Sequence, residues 1–201
     1  MHIKKLNSVA LFSTSVNLCV TLKKPMPPKS KCVFLDRDGV LNEELGDYIQ
    51  NLEDLIIPEG VPEALQLLKS AGFLLIVITN QAGIAKGLYG PELVYGIHEK
   101  MQEASGGMLD DLYFCPYHPS VSGRSLSRKP DSLLLEKAIA KYNIDPSQSW
   151  MIGDRARDCE AGKKVELQTI HIISGDETSA GDYFSANLLE AAKIILASGT
   201  K

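Results

Sequence analysis

The sequence has few of the features that mark proteins of oxidising compartments, membranes or nucleic-acid complexes. Only four of its 201 residues are cysteines, and none forms a C-x-x-C pair, so neither a disulfide framework nor a zinc knuckle is indicated. We therefore expect a reducing, cytoplasmic environment. No stretch reaches the roughly 18 consecutive apolar residues of a membrane-spanning helix. Because the net charge is -4, no basic field exists to recruit nucleic acid or a membrane surface, and we expect neither as a partner.

The chain does have enough apolar material for one ordinary domain. Hydrophobic residues make up 44% of it, and its length suits a single domain with an appendage. We predict an N-terminal extension over residues 1–29 and a catalytic domain over residues 30–201. No obvious dimerisation element is visible, so a monomer is expected.

The N-terminal extension only loosely resembles a signal peptide. Lys4 and Lys5 precede an apolar stretch from Val9 to Leu22, but polar residues interrupt that stretch and no clear small-x-small cleavage site follows. Met26 stands a few residues before the first predicted strand and is a candidate for the true start. The intact mass of the natively expressed protein would test this, since a mass matching residues 1–201 contradicts it.

Short apolar runs alternate with amphipathic segments from residue 31 onward. Strands are predicted over Lys31–Asp36, Phe73–Thr79, Asp111–Cys115, Ser149–Gly153 and Gln168–Ile173. Helices are predicted from about Val61 to Gly72, from Pro91 to Gly106, over Leu133–Tyr142, after Arg155 and after a Ser185 cap. Five strands separated by helices indicate βαβ units. The pattern predicts a Rossmann-like three-layer α/β fold with a mainly parallel sheet.

The most informative motif is Asp36-Arg37-Asp38-Gly39, which follows directly on the apolar run Cys32–Leu35. Extended residues two apart point the same way, so Asp36 and Asp38 can share one site while Arg37 faces away. Gly39 allows a sharp turn after them. Adjacent carboxylates repel unless a cation lies between them, and Mg²⁺ prefers such oxygen ligands together with substrate phosphates. The motif indicates Mg²⁺-dependent phosphate chemistry with one aspartate as nucleophile.

Other polar residues follow the predicted strands at the ends where α/β sheets bind ligands. Thr79 and Asn80 close the second strand, Asp154 follows the fourth, and Arg128 and Lys129 lie in the loop after the third. Taken singly, each could be an ordinary strand end, loop or helix cap, and D-x-D-G is a common turn pattern. Their joint placement at successive strand ends is what indicates an active site.

Two aspartates could divide the chemistry of such a site. Asp36 would attack phosphorus, and Asp38 would protonate the leaving group and then activate water. Asp36, the Asp38 backbone carbonyl and Asp154 could hold Mg²⁺. Asp158 lies four residues after Asp154 and would stand behind these ligands.

Three further residues could bind the substrate. Thr79 offers a hydroxyl to a phosphoryl oxygen, and Lys129 offers a positive charge to the same group. Arg128 could hold a second anionic or hydroxylated part of the substrate.

Five stretches of the chain together resemble the haloacid dehalogenase-like (HAD) phosphatases, and within them the subgroup of heptose bisphosphate and histidinol-phosphate phosphatases. They are Phe34–Asn42, Ile78–Gly87, Cys115–Pro119, Arg128–Pro130 and Ile152–Asp158. The resemblance implies a HAD core without a large cap domain and the same roles for the residues named above. It also implies substrate contacts from the loop after the nucleophile, including Tyr48, and from Asn80 and Arg155.

One departure from this subgroup concerns zinc. Its members often bind a structural zinc after the third strand through Cys-x-His and Cys-x-Cys. Here Cys115 is kept, Tyr117 stands in the histidine position with His118 displaced by one, and Ser125 and Ser127 replace the cysteine pair. Because serine hydroxyls are poor zinc ligands, we predict that no structural zinc is bound.

The leading interpretation is a phosphatase that forms an aspartyl-phosphate and acts on a small phosphorylated sugar, with D-glycero-D-manno-heptose 1,7-bisphosphate as the expected substrate. Histidinol phosphate is the first alternative, since Glu43, Glu44 and Asp47 could form an acidic pocket for its amine. A catalytically silent binding protein is a second alternative, against which the intact motifs argue. A nucleic-acid end phosphatase is disfavoured by the acidic charge.

Overall fold

A single parallel sheet organises the computed structural model, which describes residues 28–173 and 178–199. The expected start at Met26 lies outside these residues. The sheet has the order β3-β2-β1-β4-β5-β6, and every neighbouring pair is parallel. Its strands are β1 (Cys32–Leu35), β2 (Leu74–Asn80), β3 (Asp111–Cys115), β4 (Trp150–Gly153), β5 (Gln168–Ile172) and β6 (Tyr183–Ser185).

Six α-helices connect or follow these strands in the described part of the chain. They are α1 (Gly60–Ser70), α2 (Pro91–Ser105), α3 (Pro119–Ser122), α4 (Leu133–Tyr142), α5 (Ala156–Lys164) and α6 (Leu188–Ser198). As expected, α2 begins at Pro91 and ends where Gly106 takes a left-handed conformation with φ of 64°. In the two described ranges, none of the helices has the length and apolar character needed to cross a bilayer.

The two faces of the sheet are covered by different helices, as the apolar strand runs predict. Val33 and Leu35 of β1 belong to one buried cluster, with residues of α1, α2 and α6. Cys32 and Phe34 belong to the opposite cluster, with residues of α4 and α5. Successive residues of a strand point to opposite faces, so β1 is buried on both sides. The three-layer α/β prediction is confirmed, and no separate cap domain occurs among the described residues.

The C-terminal part differs from the sequence prediction in two respects. A sixth strand, β6, pairs in parallel with β5 at the edge of the sheet. It has three residues, two of them exposed, so it lacks the apolar run by which the other strands were predicted. The expected Ser185 cap is also wrong, because Ser185 ends β6. Asn187 caps α6 instead, where its side chain accepts a 2.9 Å hydrogen bond from the Glu190 N–H.

The chain reverses its direction across the sheet between β1 and β4. From β1 it passes to β2 and β3 on one side, then crosses over to β4 on the other. Asp36 still pairs with β4, since its N–H donates 2.9 Å to the Ile152 carbonyl. In open parallel sheets, ligands bind beyond the carboxyl ends of the strands at such a switch point. Here the switch point lies between β1 and β4, where Asp36 and Asp154 directly follow the two strands.

Candidate active site

The carboxylate of Asp36 lies at the end of β1 beside a buried ammonium group. Lys129 Nζ is 2.9 Å from Asp36 Oδ1 and 2.8 Å from Asp158 Oδ1, and it donates a 2.6 Å hydrogen bond to the Ile78 carbonyl. None of the three charged side chains is more than 4% exposed. Two buried carboxylates therefore share one buried cation.

This excess of buried carboxylates over ammonium groups shifts the pKa values of both Asp36 and Lys129. Burial raises the pKa of Asp36 to about 7; attraction to Lys129 opposes the rise, while repulsion from Asp158 and Asp38 adds to it. Burial alone would lower the pKa of Lys129, but the two carboxylates more than offset it and the pKa is raised. The site thus holds more negative charge than its ammonium can balance, and a bound cation would neutralise the remainder.

Three carboxylates converge on a position that suits such a cation. Asp36, Asp154 and Asp158 each offer one oxygen, and these oxygens lie within 4.8 Å of one another. Burial and repulsion from Asp158 raise the pKa of Asp154 to about 6. Hard oxygen donors of this kind fit Mg²⁺. Asp158, predicted to stand behind the metal ligands, takes part in the cluster and also accepts a 3.0 Å hydrogen bond from the Arg155 N–H.

Gly39 makes room for Asp154. Its φ is 78°, a conformation that residues with a side chain rarely adopt. A Cβ at this position would lie 2.5 Å from Asp154 Oδ2, far inside van der Waals contact. Glycine is therefore needed here both for the turn and for the close approach of the Asp154 carboxylate.

Asp38 is held by a set of hydrogen-bond donors. Its Oδ1 accepts from Arg37 Nε at 3.0 Å, from Arg37 Nη2 at 2.8 Å and from Asn42 Nδ2 at 3.1 Å, and its Oδ2 accepts from Gln81 Nε2 at 3.1 Å. The expectation that Arg37 faces away is wrong, because the chain turns at Gly39 and the guanidinium folds back onto its neighbour. The Asp38 side chain stays 30% exposed, so it can reach a substrate.

Gln81 and Tyr89 extend this network and were assigned no role from the sequence. Gln81 Nε2 also donates to Thr79 Oγ1 at 2.9 Å, and Tyr89 Oη donates to Gln81 Oε1 at 2.7 Å. Burial raises the pKa of Tyr89 to about 12, which keeps its hydroxyl a donor. Gln81 is part of the conspicuous Ile78–Gly87 stretch, but nothing in that stretch shows that its amide faces Asp38.

A cavity of about 250 Å³ opens above these groups. Among the predicted site residues, its walls include Asp36, Asp38, Tyr48, Thr79, Asn80 and Arg128. Arg157 also lines it and was not singled out from the sequence. Lys129 is 2% exposed and is not one of the cavity-lining residues, but its ammonium group contacts Asp36, which lines the cavity.

The chain is similar to known phosphatases in sequence and in fold. The profile of the HAD-hydrolase-like family matches residues 126–191. D-glycero-beta-D-manno-heptose-1,7-bisphosphate 7-phosphatase of Haemophilus ducreyi is 39% identical over 147 residues, which cover 69% of this chain and 80% of the relative. The protein of the same name from Haemophilus influenzae is 33% identical, covering 83% of this chain and 97% of its own length. The chain belongs to the HAD phosphatase family.

A solved structure of the family supports the assignment. The D,D-heptose 1,7-bisphosphate phosphatase of B. bronchiseptica, crystallised with magnesium and phosphate, superposes with a TM-score of 0.76 at 25% identity. The match covers 84% of this chain and 99% of that protein. The HAD phosphatase described here therefore shares that fold over nearly the whole length of the relative.

Two predicted substrate-binding residues of this HAD phosphatase have partners within the protein. The Asn80 side-chain amide donates a hydrogen bond to the Lys129 carbonyl and accepts one from the Lys129 N–H, each 3.1 Å long. Arg155 Nε lies 3.0 Å from Asp154 Oδ2, and its Nη2 lies 3.6 Å from Glu44 Oε2. Arg155 lines a neighbouring cleft of about 790 Å³ rather than the cavity above Asp36. Their contacts with substrate stay predictions.

Hydrogen bonds occupy the loop in which the subgroup would place zinc. Ser127 Oγ donates to Cys115 Sγ at 3.2 Å, and the Ser125 and Ser127 hydroxyls are 2.7 Å apart. His118 instead caps α3, where its Nδ1 accepts from the Ser120 N–H at 3.3 Å. Serine hydroxyls thus satisfy one another and the thiol at the positions of the expected cysteine ligands. The absence of zinc stays a prediction.

Proposed function

We propose that this HAD phosphatase is an Mg²⁺-dependent phosphomonoesterase that hydrolyses D-glycero-D-manno-heptose 1,7-bisphosphate and releases its 7-phosphate. The observation that carries the proposal is the position of Asp36. Asp36 directly follows β1 and lines the cavity, and one of its carboxylate oxygens lies within 4.8 Å of oxygens of Asp154 and Asp158. Relatives at 33% and 39% identity that bear this activity in their names support the substrate and the position of the phosphate.

The residues of the chain divide the two chemical steps. Asp36 attacks phosphorus, forming an aspartyl-phosphate as the bond to the leaving oxygen breaks, and water then hydrolyses this intermediate. Lys129 balances part of the negative charge around Asp36. Mg²⁺, when bound, would neutralise the carboxylates and the phosphoryl oxygens and so reduce their mutual repulsion. Thr79 Oγ lies on the cavity wall, where it can donate to a phosphoryl oxygen.

Asp38 has two tasks that need opposite protonation states. Arg37, Asn42 and Gln81 donate to its oxygens and orient the carboxyl group, which in the second step removes a proton from the attacking water. A sugar alkoxide is a poor leaving group, so in the first step the same carboxyl must bring a proton to it. Its partial exposure lets Asp38 act on both the substrate and the water.

The charges around the cavity favour a bisphosphate over histidinol phosphate. Of the acidic residues that could bind an amine, Glu44 faces Arg155 and Asp47 Oδ1 accepts a 2.7 Å hydrogen bond from the Tyr48 N–H. Glu43 lines the neighbouring cleft rather than the cavity above Asp36. Arg128 Nη1, by contrast, donates a 3.3 Å hydrogen bond to the Tyr117 carbonyl, and Arg128 has no carboxylate partner among the described residues. A guanidinium on the cavity wall that no described carboxylate neutralises is suited to binding an anion.

The proposal is tested by kcat/KM with Mg²⁺ for heptose 1,7-bisphosphate, histidinol phosphate and a panel of sugar monophosphates. We expect a preference for the bisphosphate above about a hundredfold, roughly 2.7 kcal/mol. The Asp36→Asn variant should lose turnover by about three orders of magnitude or more and keep its fold by circular dichroism. Preference for histidinol phosphate would assign the alternative function. Uniformly weak turnover of all these substrates would refute the assigned substrate.

A further inference from the structure

We propose that Arg157 binds the second phosphate of the substrate together with Arg128, so that two guanidinium groups select phosphomonoesters carrying a second dianionic group. This inference rests on the proposed function and assigns a specificity-determining role to a residue that neither the motifs nor the fold single out. Both arginines line the cavity that contains Asp36.

The guanidinium of Arg157 is incompletely paired within the part of the chain that the structure describes. Its Nε is buried without a hydrogen-bond partner, and no residue that the structure describes forms an ion pair with its guanidinium. Arg37, by comparison, is bound to Asp38, and Arg155 to Asp154 and Glu44. A buried guanidinium nitrogen without an acceptor costs free energy, so a ligand that supplies the acceptor gains correspondingly.

The position of Arg157 along the chain also argues against a role in stabilising the helix. It is the second residue of α5, at the positive end of the helix macrodipole, where a cation is unfavourable. At the N-terminus of α5, the Asp158 carboxylate already accepts a hydrogen bond from the Arg155 N–H. The acidic neighbour Asp154 is likewise already paired, at 3.0 Å, with Arg155. The charge of Arg157 acts to lower the pKa of Asp154, but no described carboxylate forms an ion pair with it, and the helix itself does not account for a cation at this position.

Together, Arg128 and Arg157 define the chemistry of the ligand. Both line the cavity, and neither forms an ion pair with a carboxylate among the described residues. Asp36, by contrast, is paired with Lys129, and Asp38 with Arg37. A guanidinium offers planar, bidentate donors that match phosphate oxygens. An alcohol group without charge would leave both cations unbalanced, and an amine would be repelled. A second phosphate on the leaving part of the substrate satisfies both.

The test compares Arg157→Gln with the wild type on three substrates: the heptose 1,7-bisphosphate, the heptose 7-phosphate that lacks the second phosphate, and p-nitrophenyl phosphate. We expect kcat/KM for the bisphosphate to fall about 10- to 100-fold, chiefly through KM, because one charged contact is lost. The other two substrates should change less than about threefold. Lys137→Gln is the matched control, since it removes an exposed cation from α4 and should alter none of the three rates.

Other outcomes would overturn the inference. An equal loss on all three substrates would mean that Arg157 acts through the metal site, and no loss on the bisphosphate would mean that it does not touch the substrate. If Arg157→Gln folds poorly, Arg157→Lys keeps the charge without the planar fork and should show a smaller loss confined to the bisphosphate. A wild-type enzyme that does not prefer the bisphosphate to the 7-phosphate refutes the proposed function itself, whereas a clear wild-type preference that survives Arg157→Gln refutes only the role of Arg157.

Discussion

Lys129 Nζ lies 2.9 Å from Asp36 Oδ1 and 2.8 Å from Asp158 Oδ1, so one buried ammonium joins the proposed nucleophile to the first turn of α5. The three residues come from the end of β1, the loop before α4 and the start of α5. Their charges depend on one another, because burial penalises any charge that loses its partner. The stability of the protein and its affinity for metal should therefore be coupled at this point.

Replacing Lys129 should reveal that coupling. Lys129→Met leaves the Asp36 and Asp158 carboxylates buried without their cation, so we expect the free energy of unfolding to fall by roughly 3–5 kcal/mol in the absence of metal. Saturating Mg²⁺ should restore part of the loss, and urea unfolding with and without Mg²⁺ measures both effects. Lys141→Met is the control, because the Lys141 side chain in its ion pair with Asp111 is 57% exposed and the loss of this pair should cost no more than about 1 kcal/mol. A Lys129 variant as stable as this control would contradict the prediction.

Metal affinity should depend on pH near neutrality. The pKa of Asp36 is raised to about 7 and that of Asp154 to about 6, so protons compete with Mg²⁺ for both carboxylates. The association constant should rise between about pH 5.5 and pH 7.5 and then level off, with proton release on binding. Titration calorimetry in buffers of different ionisation enthalpy measures that release. Binding without proton release at pH 6.5 would contradict the raised pKa values.

The same shifts predict an unusual pH dependence of stability without metal. Because the folded pKa of Asp36 lies above its ordinary value of 3.8, ionisation opposes folding. The contribution of this group to stability is therefore present below about pH 4 and is lost as the pH rises through 7. Asp36→Asn should flatten that part of the curve, which thermal unfolding across pH can show.

Gly39 and Gly46 provide a matched pair for testing the approach of Asp154. Their φ values are 78° and 76°, so alanine pays a similar backbone cost of about 1–2 kcal/mol at either position. A Cβ at Gly39 would lie 2.5 Å from Asp154 Oδ2, whereas nothing lies within 4 Å of one at Gly46. We expect Gly39→Ala alone to lose about tenfold or more in Mg²⁺ affinity. Equal affinities of the two variants, measured by calorimetry, would contradict this.

The hydrogen bond from Gln81 to Asp38 should matter most for poor leaving groups. Asp38→Asn should lower kcat on the sugar phosphate by about 10²–10⁴ and lower it less on p-nitrophenyl phosphate, whose departure needs little protonation. Gln81→Leu removes one donor that orients Asp38, so the same selectivity should appear at about a tenfold loss. Equal losses on both substrates would show that these residues support the site in another way.

Zinc content tests the interpretation of the loop between β3 and α4. Protein purified without added metal should contain well under one zinc per chain by elemental analysis, because serines replace the expected cysteine pair. Cys115→Ser should then change neither the metal content nor the activity appreciably, since the loop would keep a hydroxyl beside Ser127. Stoichiometric zinc in the purified protein would show the prediction to be wrong.

The sequence by itself determined the layered fold and the edge of the sheet at which the chemistry lies. Apolar strands alternate with amphipathic helices, which leads to a parallel sheet, and the carboxyl ends of parallel strands meet at one edge. For that reason the sequence alone predicts that Asp36, Thr79 and Asp154 lie at the same edge of the sheet. The short edge strand β6 escaped prediction, because an edge strand with exposed side chains carries no apolar signal.

Only the tertiary structure decided which charges are paired. Sequence periodicity gives side-chain direction inside regular elements, but Arg37 lies in a turn and Lys129 in a loop, where no period applies. Lys129 reaches Ile78 across 51 positions and Asp36 across a still longer separation, so their contacts depend on how three segments pack. The same packing puts Arg157 on the cavity wall and leaves its Nε without an acceptor among the described residues. Pairing of buried charges depends on distances of a few ångströms, and these are set by the packed structure as a whole.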